Sequence, residues 1–388
     1  MEYLGIPQEH LEKAGGYWTA REIAQQPAIW PQIECLISAQ AAAARAFLEP
    51  LLRRSDLRIV LTGAGTSAFV GECMAPALAA KTGLRVDAVA TTDLVGSPMS
   101  WLKSEAPTLL VSFARSGNSP ESVAALDLAN ECVQECHHLI FTCNAEGALN
   151  RLGRGTPKTR IVLLPAETND RGFAMTSSFS GMLLAAALTF GLIASGAESV
   201  AEIARPARDV LTGTLPLIAT LARERFERIV YLGSNVLKGL AREAALKTLE
   251  LSDGRVVAIS DTPLGFRHGP KTIINGRSLV VVLLCNDPYT RRYEIDLLGE
   301  LRADGVAARV LALTAQPIHG RPHADDVALS GAGAASDLAL CLPYAVFAQS
   351  LAFLQSLDLG LSPDVPNARG TVSRVVRGVT IYPLGSAG

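Results

Sequence analysis

Arg58-Ile-Val-Leu-Thr-Gly63 returns about 170 residues further on as Arg228-Ile-Val-Tyr-Leu-Gly233. Three more runs are echoed at nearly that offset. Leu109-Leu-Val-Ser is answered by Val280-Val-Val-Leu, Leu139-Ile-Phe-Thr-Cys by Val310-Leu-Ala-Leu-Thr, and Ile161-Val-Leu-Leu-Pro165 by Leu338-Ala-Leu-Cys-Leu-Pro343. Short apolar runs of this kind alternate with helical stretches (Arg58–Leu61, Val86–Ala90, Thr108–Phe113, Leu139–Thr142 and Ile161–Leu164 in the first copy). Buried strands with intervening helices make an α/β, doubly wound parallel sheet. The chain therefore reads as two tandem copies of one α/β domain, linked by helices between about Gly181 and Glu224. The expected division is an N-terminal helical segment over 1–53, a first domain over 54–205, a second over 206–362 and a tail over 363–388.

Outward from the repeat, the N-terminal segment carries Thr19-Ala-Arg-Glu22, a capping-box pattern. Pro27 and Pro31 are expected to punctuate it before a second helix from Gln32 to Leu52. The run from Gly181 to Ala194, taken as the longest apolar one, is shorter than the roughly 20 residues of a membrane span and reads as a buried helix. Met1-Glu-Tyr-Leu-Gly-Ile-Pro7 has neither the basic start nor the apolar stretch of a signal peptide. With a net charge of −2 and no basic stripe, nucleic-acid binding lacks its electrostatic footprint. Seven scattered cysteines in a chain of 388 residues fit a reducing cytoplasm better than a disulfide framework. Cys132, Cys136, His137 and His138 cluster, but they lack a second ligand pair, so no metal is expected. His10, His319 and His323 read as solvated.

The two copies have diverged. The first has Gly63-Ala-Gly65-Thr66-Ser67 after its first strand and Ser112-Phe-Ala-Arg115-Ser116-Gly-Asn-Ser119-Pro120-Glu-Ser122 after its third. Both loops lead into helices, and both offer hydroxyls, backbone N–H groups and a helix N-terminus to an anion. Arg115 is a candidate phosphate clamp or a surface residue. Gly63-x-Gly65-x-x-Ala68 with Asp87 also fits a dinucleotide fingerprint, and a merely tight strand-to-helix turn needs the same glycines. Glu167-Thr-Asn-Asp-Arg-Gly-Phe-Ala174-Met-Thr176-Ser-Ser178 reads as a pocket loop entering the buried helix, with Ala174 and Thr176 as substrate-loop candidates, or as an ordinary helix start.

The second copy has Asn286-Asp287-Pro288 at the third-strand position, which would repel phosphate. Its own distinction is Glu243-Ala-Ala-Leu-Lys247-Thr-Leu-Glu250, followed by a strand-like Val256–Ile259 and the loop Gly265-Phe-Arg-His268-Gly-Pro270. Glu243, Lys247 and Glu250 share one helix face. Two carboxylates, an ammonium and a loop histidine are acid–base equipment; the plainer alternative is a solvated helix face.

Together these stretches resemble a pair of sugar isomerase (SIS) domains, similar to the isomerase half of glucosamine-6-phosphate synthase. Arg21-Glu22-Ile23-Ala-Gln-Gln26-Pro27 matches that half's opening motif. No N-terminal Cys nucleophile follows Met1, so the glutaminase half is expected to be absent. The likeness is closer to the AgaS-type galactosamine-6-phosphate deaminase/isomerases, formerly called tagatose-6-phosphate ketose/aldose isomerases. Ser112–Ser122, Asn169-Asp-Arg-Gly-Phe-Ala-Met-Thr-Ser-Ser-Phe179 and the tail Gly360-Leu-Ser-Pro-Asp-x-Pro…Gly370-x-Val-x-Arg374-Val-Val carry it.

The resemblance implies that Gly65, Thr66, Ser67, Ser116 and Ser119 hold a sugar 6-phosphate, with Arg115 where the synthase has a different side chain. It implies that His268 opens the pyranose ring and Glu250 moves a proton between C1 and C2, while Glu243 and Lys247 position the substrate and tune Glu250. The synthase's C-terminal lysine has no match; Thr371 or Arg374 lies in that region. No cofactor and no metal are implied. The implied substrate is a phosphorylated amino sugar, and a homodimer or homotetramer with sites shared between subunits is expected, with no nucleic acid or membrane partner. A plain phosphosugar aldose–ketose isomerase and a non-catalytic sugar-phosphate sensor are the alternatives.

Overall fold

The computed structural model describes residues 1–388 apart from 195–196, 319–322, 377 and 386–388, and apart from the side chains of 197 and 198. His319 lies outside the described residues. The chain opens with a hairpin, β1 (Glu2–Tyr3) and β2 (Ile6–Pro7), turned by Leu4 and Gly5 at φ 51° and 72°. Two positive φ values in a two-residue loop match the twist of the flanking strands.

The first sheet holds β3 (Arg58–Thr62), β4 (Arg85–Ala88), β5 (Thr108–Ala114), β6 (Cys136–Thr142) and β7 (Thr159–Leu163) in the order β4-β3-β5-β6-β7. The second holds β8 (Arg228–Gly233), β9 (Val257–Asp261), β10 (Ser278–Leu283), β11 (Arg309–Thr314) and β12 (Asp326–Ala328) in the order β12-β11-β10-β8-β9. Every pairing in both sheets is parallel. Numbered within each copy, both orders are 2-1-3-4-5, so the repeat in sequence is a repeat of topology. The order reverses between the first and third strands, the switch point where open α/β sheets take their ligands. The central strands are apolar throughout because helices cover both faces: β5 and β10 are buried at every residue.

The fourth echo is not a strand pair. Leu338–Pro343 begins the helix Asp337–Asp358, and the fifth strand of the second sheet is the short β12. A short apolar run does not by itself separate strand from helix. Here Ser336 caps the run by accepting the Ala339 N–H, and apolar residues continue for several more turns. This helix also corrects the expectation about apolar length. By length and hydropathy alone, Tyr17–Leu52 and Asp337–Asp358 could each cross a membrane; the apolar window of the second is 89% buried within the protein.

The N-terminal expectations change as well. Tyr17–Leu52 is one helix, running through Pro27 and Pro31. Burial of Ile23, Ile29 and Trp30 along it outweighs the lost backbone bonds. Thr19 is therefore inside a helix rather than capping one: its N–H and hydroxyl both go to Asp364, at 2.8 and 2.7 Å.

The chain forms two compact units whose limits cut across the expected ones. One joins Gln32–Asn169, Ser177–Ala194 and Gly370–Gly388 around the first sheet; the other joins Met1–Pro31, Asp170–Thr176 and Ser195–Arg369 around the second. Residues 170–176 go with the second sheet because side chains of that unit take up their backbone groups. The apolar helix Ser177–Thr189 packs on the first sheet's helix Thr66–Thr82 and on β6.

Candidate active site

In the first-sheet unit, both hydroxyl-rich loops stand at the carboxyl ends of β3 and β5, neighbours at the switch point. Gly63 is required for space: a Cβ there would lie 2.6 Å from the Ser67 backbone. Gly65 is required for conformation, at φ 55° and ψ −126° as N-cap of the helix Thr66–Thr82. Thr66 and Ser67 form the first turn of that helix, both buried.

In the other loop Gly117 (φ 63°) makes the turn, and Ser119 stands at the N-cap before Pro120 with its hydroxyl 2.6 Å from that of Ser122. The Ser116 hydroxyl accepts the Asn118 N–H at 3.3 Å, and its carbonyl accepts Asn144 Nδ2 at 2.8 Å. Two helix N-termini thus converge on one crevice, which suits a dianion. Arg115 is buried, and its guanidinium donates to the Arg374 carbonyl at 2.6 Å, bringing the C-terminal segment onto this loop. Asp87, the acid of the dinucleotide reading, is engaged by Arg58 at 2.7 Å and Arg85 at 3.0 Å.

The second copy has the same loop with the polar groups replaced. Gly233, Asn235, Val236 and Leu237 stand where Gly63, Gly65, Thr66 and Ser67 stand in the first. Asn235 repeats the Gly65 backbone, at φ 51° and ψ −123°. Val236 and Leu237 are buried core residues. After β10 the backbone donors are met from within the chain. Glu294 accepts the Cys285 N–H at 2.8 Å, Asp337 accepts that of Asn286, and Asp287 accepts that of Thr290 at 2.8 Å. Burial pushes Glu294 and Asp337 above the ordinary carboxylate range. This crevice is furnished with the chain's own carboxylates, whereas that of the first copy presents hydroxyls.

The acid–base stripe lies on the helix Val236–Leu251. It is no solvated face. Lys247 is fully buried, with Glu243 Oε1 3.6 Å from its Nζ and Glu250 in direct ion-pair contact. Glu243 is buried with it, and the Glu250 side chain keeps 24% exposure. A buried ammonium between two carboxylates orients both, and only Glu250 offers itself to a ligand.

His268 follows the short helix Pro263–Phe266, anchored by the buried Phe266. Arg267 and Lys271 on either side of it are paired with Glu300, and Arg267 also with Asp296, on the helix Pro288–Asp304. The imidazole itself is exposed and makes no hydrogen bond or ion pair with any described residue of its own chain. The stripe is held together by its own ion pairs, and no hydrogen bond or ion pair joins His268 to Glu250.

Ala174 and Thr176 are fully buried. Asp170 accepts the Thr176 N–H at 2.8 Å and its hydroxyl at 3.2 Å, so the loop's fixed shape is what these residues supply. Asp170, Gln349 and Asp364 were not among the candidate residues, although Asp170 and Asp364 lie within the quoted motifs. Among the described residues no three His, Cys, Asp or Glu gather to hold an ion. His138 is buried with its Nε2 2.8 Å from Asn130, and burial holds its pKa down at about 4.

Comparison with known proteins adds to this geometry. The SIS domain family matches residues 51–191. A Streptomyces coelicolor relative is 51% identical over 369 residues, covering 94% of this chain and 95% of its own. The Escherichia coli protein named D-galactosamine-6-phosphate deaminase AgaS is 46% identical over 385 residues, covering 97% and 99%. The crystal structure of tagatose-6-phosphate ketose/aldose isomerase from Escherichia coli superposes with a TM-score of 0.88 at 43% identity, covering 96% of this chain and 98% of that one.

Proposed function

Since the chain belongs to the AgaS family of proteins built from tandem SIS domains, we propose that it is a galactosamine-6-phosphate deaminase/isomerase, releasing tagatose 6-phosphate and ammonia. The observation that carries this reading is the buried Lys247 held between Glu243 and Glu250, with Glu250 alone open to a ligand.

Gly65, Thr66, Ser67, Ser116 and Ser119 hold the 6-phosphate, and Arg115 braces their crevice through the C-terminal segment. His268 moves the proton that opens the ring, giving the free aldehyde at C1. Glu250 then takes the proton from C2, leaving an enolamine, and returns it to C1. The C1=C2 double bond thereby becomes a C2 imine. Water adds to that imine, the C–N bond breaks, and ammonia leaves with the ketose. Glu243 and Lys247 fix the Glu250 carboxylate, and the loop carrying Ala174 and Thr176 shapes the site. None of these steps calls on a cofactor or a metal.

The exposed His268 imidazole, which makes no hydrogen bond or ion pair with any described residue of its own chain, supports a homodimer or homotetramer in which the histidine serves a neighbour's site. Free thiols at Cys136, Cys285 and Cys341, all buried, support a place in the reducing cytoplasm. The plain aldose–ketose isomerase is the second reading, favoured by the name of the Escherichia coli structure. Purified chain given galactosamine 6-phosphate separates the two: ammonium release supports deamination, and none rules it out.

A further inference from the structure

The motif around Glu22 has no role in the chemistry above, and its side chains are among the most deeply placed polar groups of the second-sheet unit. Glu22 is 4% exposed, and its carboxylate accepts two successive backbone N–H groups, Arg171 at 2.5 Å and Gly172 at 3.1 Å. Gly172 fits so closely that a Cβ there would meet Thr19 Oγ1 at 2.6 Å and Glu22 Oε2 at 3.0 Å. The Arg171 guanidinium lies 4.4 Å over the Trp18 ring, one turn before Glu22. Gln26, four residues on and on the same helix face, donates to Gln349 Oε1 at 2.7 Å. Gln349 in turn reaches the Thr176 carbonyl at 3.5 Å. Gln349 belongs to the helix Asp337–Asp358, which packs along the helix bearing Glu243, Lys247 and Glu250.

We infer that Glu22 and Gln26 are positioning residues that clamp the 170–176 loop without touching the sugar: Glu22 ties the 171–172 end of the loop to the helix Tyr17–Leu52, and Gln26, through Gln349, ties that helix and the Thr176 end to the helix packed along the one bearing Glu243, Lys247 and Glu250. The inference rests on the proposed reaction. Glu22 does for this distant loop what a capping-box glutamate does for its own helix, taking up backbone donors that burial would otherwise leave unmet.

The test uses the full chain, with kcat/KM for ammonium release, calorimetric affinity for galactosamine 6-phosphate, and amide exchange over 170–176. Glu22→Ala is expected to lower kcat/KM about thirtyfold and speed exchange at the 171 and 172 amides at least about tenfold. Glu22→Gln, whose carbonyl still accepts one of the two N–H groups, is expected to restore activity to within about fivefold of the unmutated chain. Gly172→Ala leaves the acid in place but pushes the loop off it, and is expected to cost about tenfold, which keeps the inference open to test where Glu22→Ala does not fold. Activity within twofold of normal in Glu22→Ala and Gly172→Ala, or unchanged exchange, overturns the clamp. If the unmutated chain releases no ammonium, the deaminase reading falls instead. The clamp is then judged by exchange and by the roughly tenfold loss of affinity expected in the same variants.

Discussion

Lys247 settles what the spacing of Glu243, Lys247 and Glu250 left open. On a solvated face an i,i+4 pair contributes only a few tenths of a kcal/mol. Fully buried, the ammonium needs both carboxylates, and the arrangement leaves one of them, Glu250, partly open. The spacing itself was legible in the sequence; the burial was not, because it depends on elements remote in sequence, such as the helix Asp337–Asp358, packing against the helix that bears the stripe. Glu22 and Asp170 were illegible for a related reason. Their partners are mainly backbone N–H groups, and those of Glu22 are remote in sequence, so the motifs that contain them do not reveal whom they bind. If Glu250 is the base, Glu250→Gln lowers turnover at least about a thousandfold while affinity for galactosamine 6-phosphate stays within a few-fold, as steady-state kinetics and calorimetry on the same preparation read out.

At the scale of elements, two nearly identical strand-to-helix turns carry different residues in the two copies. Gly65 takes its positive φ without strain, whereas Asn235 adopts the same backbone with a Cβ. A non-glycine residue held there costs on the order of 1–3 kcal/mol. Asn235→Gly is accordingly expected to stabilise the chain by about 1 kcal/mol after the extra entropy of the unfolded glycine, seen as a higher midpoint in denaturant. An unchanged or lower midpoint would mean that the turn is not strained. The four leading strands of each copy could be read from their apolar runs, boundaries included to within a few residues. The fifth strand of the second sheet could not. β12 is only Asp326–Ala328, and the apolar run that stood in for it belongs to a buried helix. The prolines at 27 and 31 misled for the opposite reason: local propensity marked a break that burial of Ile23, Ile29 and Trp30 overrides.

In the whole molecule, the hydroxyl-rich loops proposed to hold the phosphate belong to one copy, and the helix proposed to carry the acid–base chemistry belongs to the other. The exposed His268 makes a prediction of its own. If it serves a neighbouring subunit, two inactive variants, Glu250→Gln and His268→Asn, should regain activity when unfolded together and reassembled. About a quarter of normal activity is expected for statistical mixing of a symmetric dimer with one intact site per mixed pair. Activity that stays at the level of the separate variants would place His268 and Glu250 of one chain in the same site. The most direct measurement gives purified chain galactosamine 6-phosphate and follows ammonium and tagatose 6-phosphate together. Both are expected in equal amounts from one turnover to the next. Ammonium absent, or ketose formed from a neutral aldose phosphate while the amino sugar is left untouched, would contradict the deaminase reading.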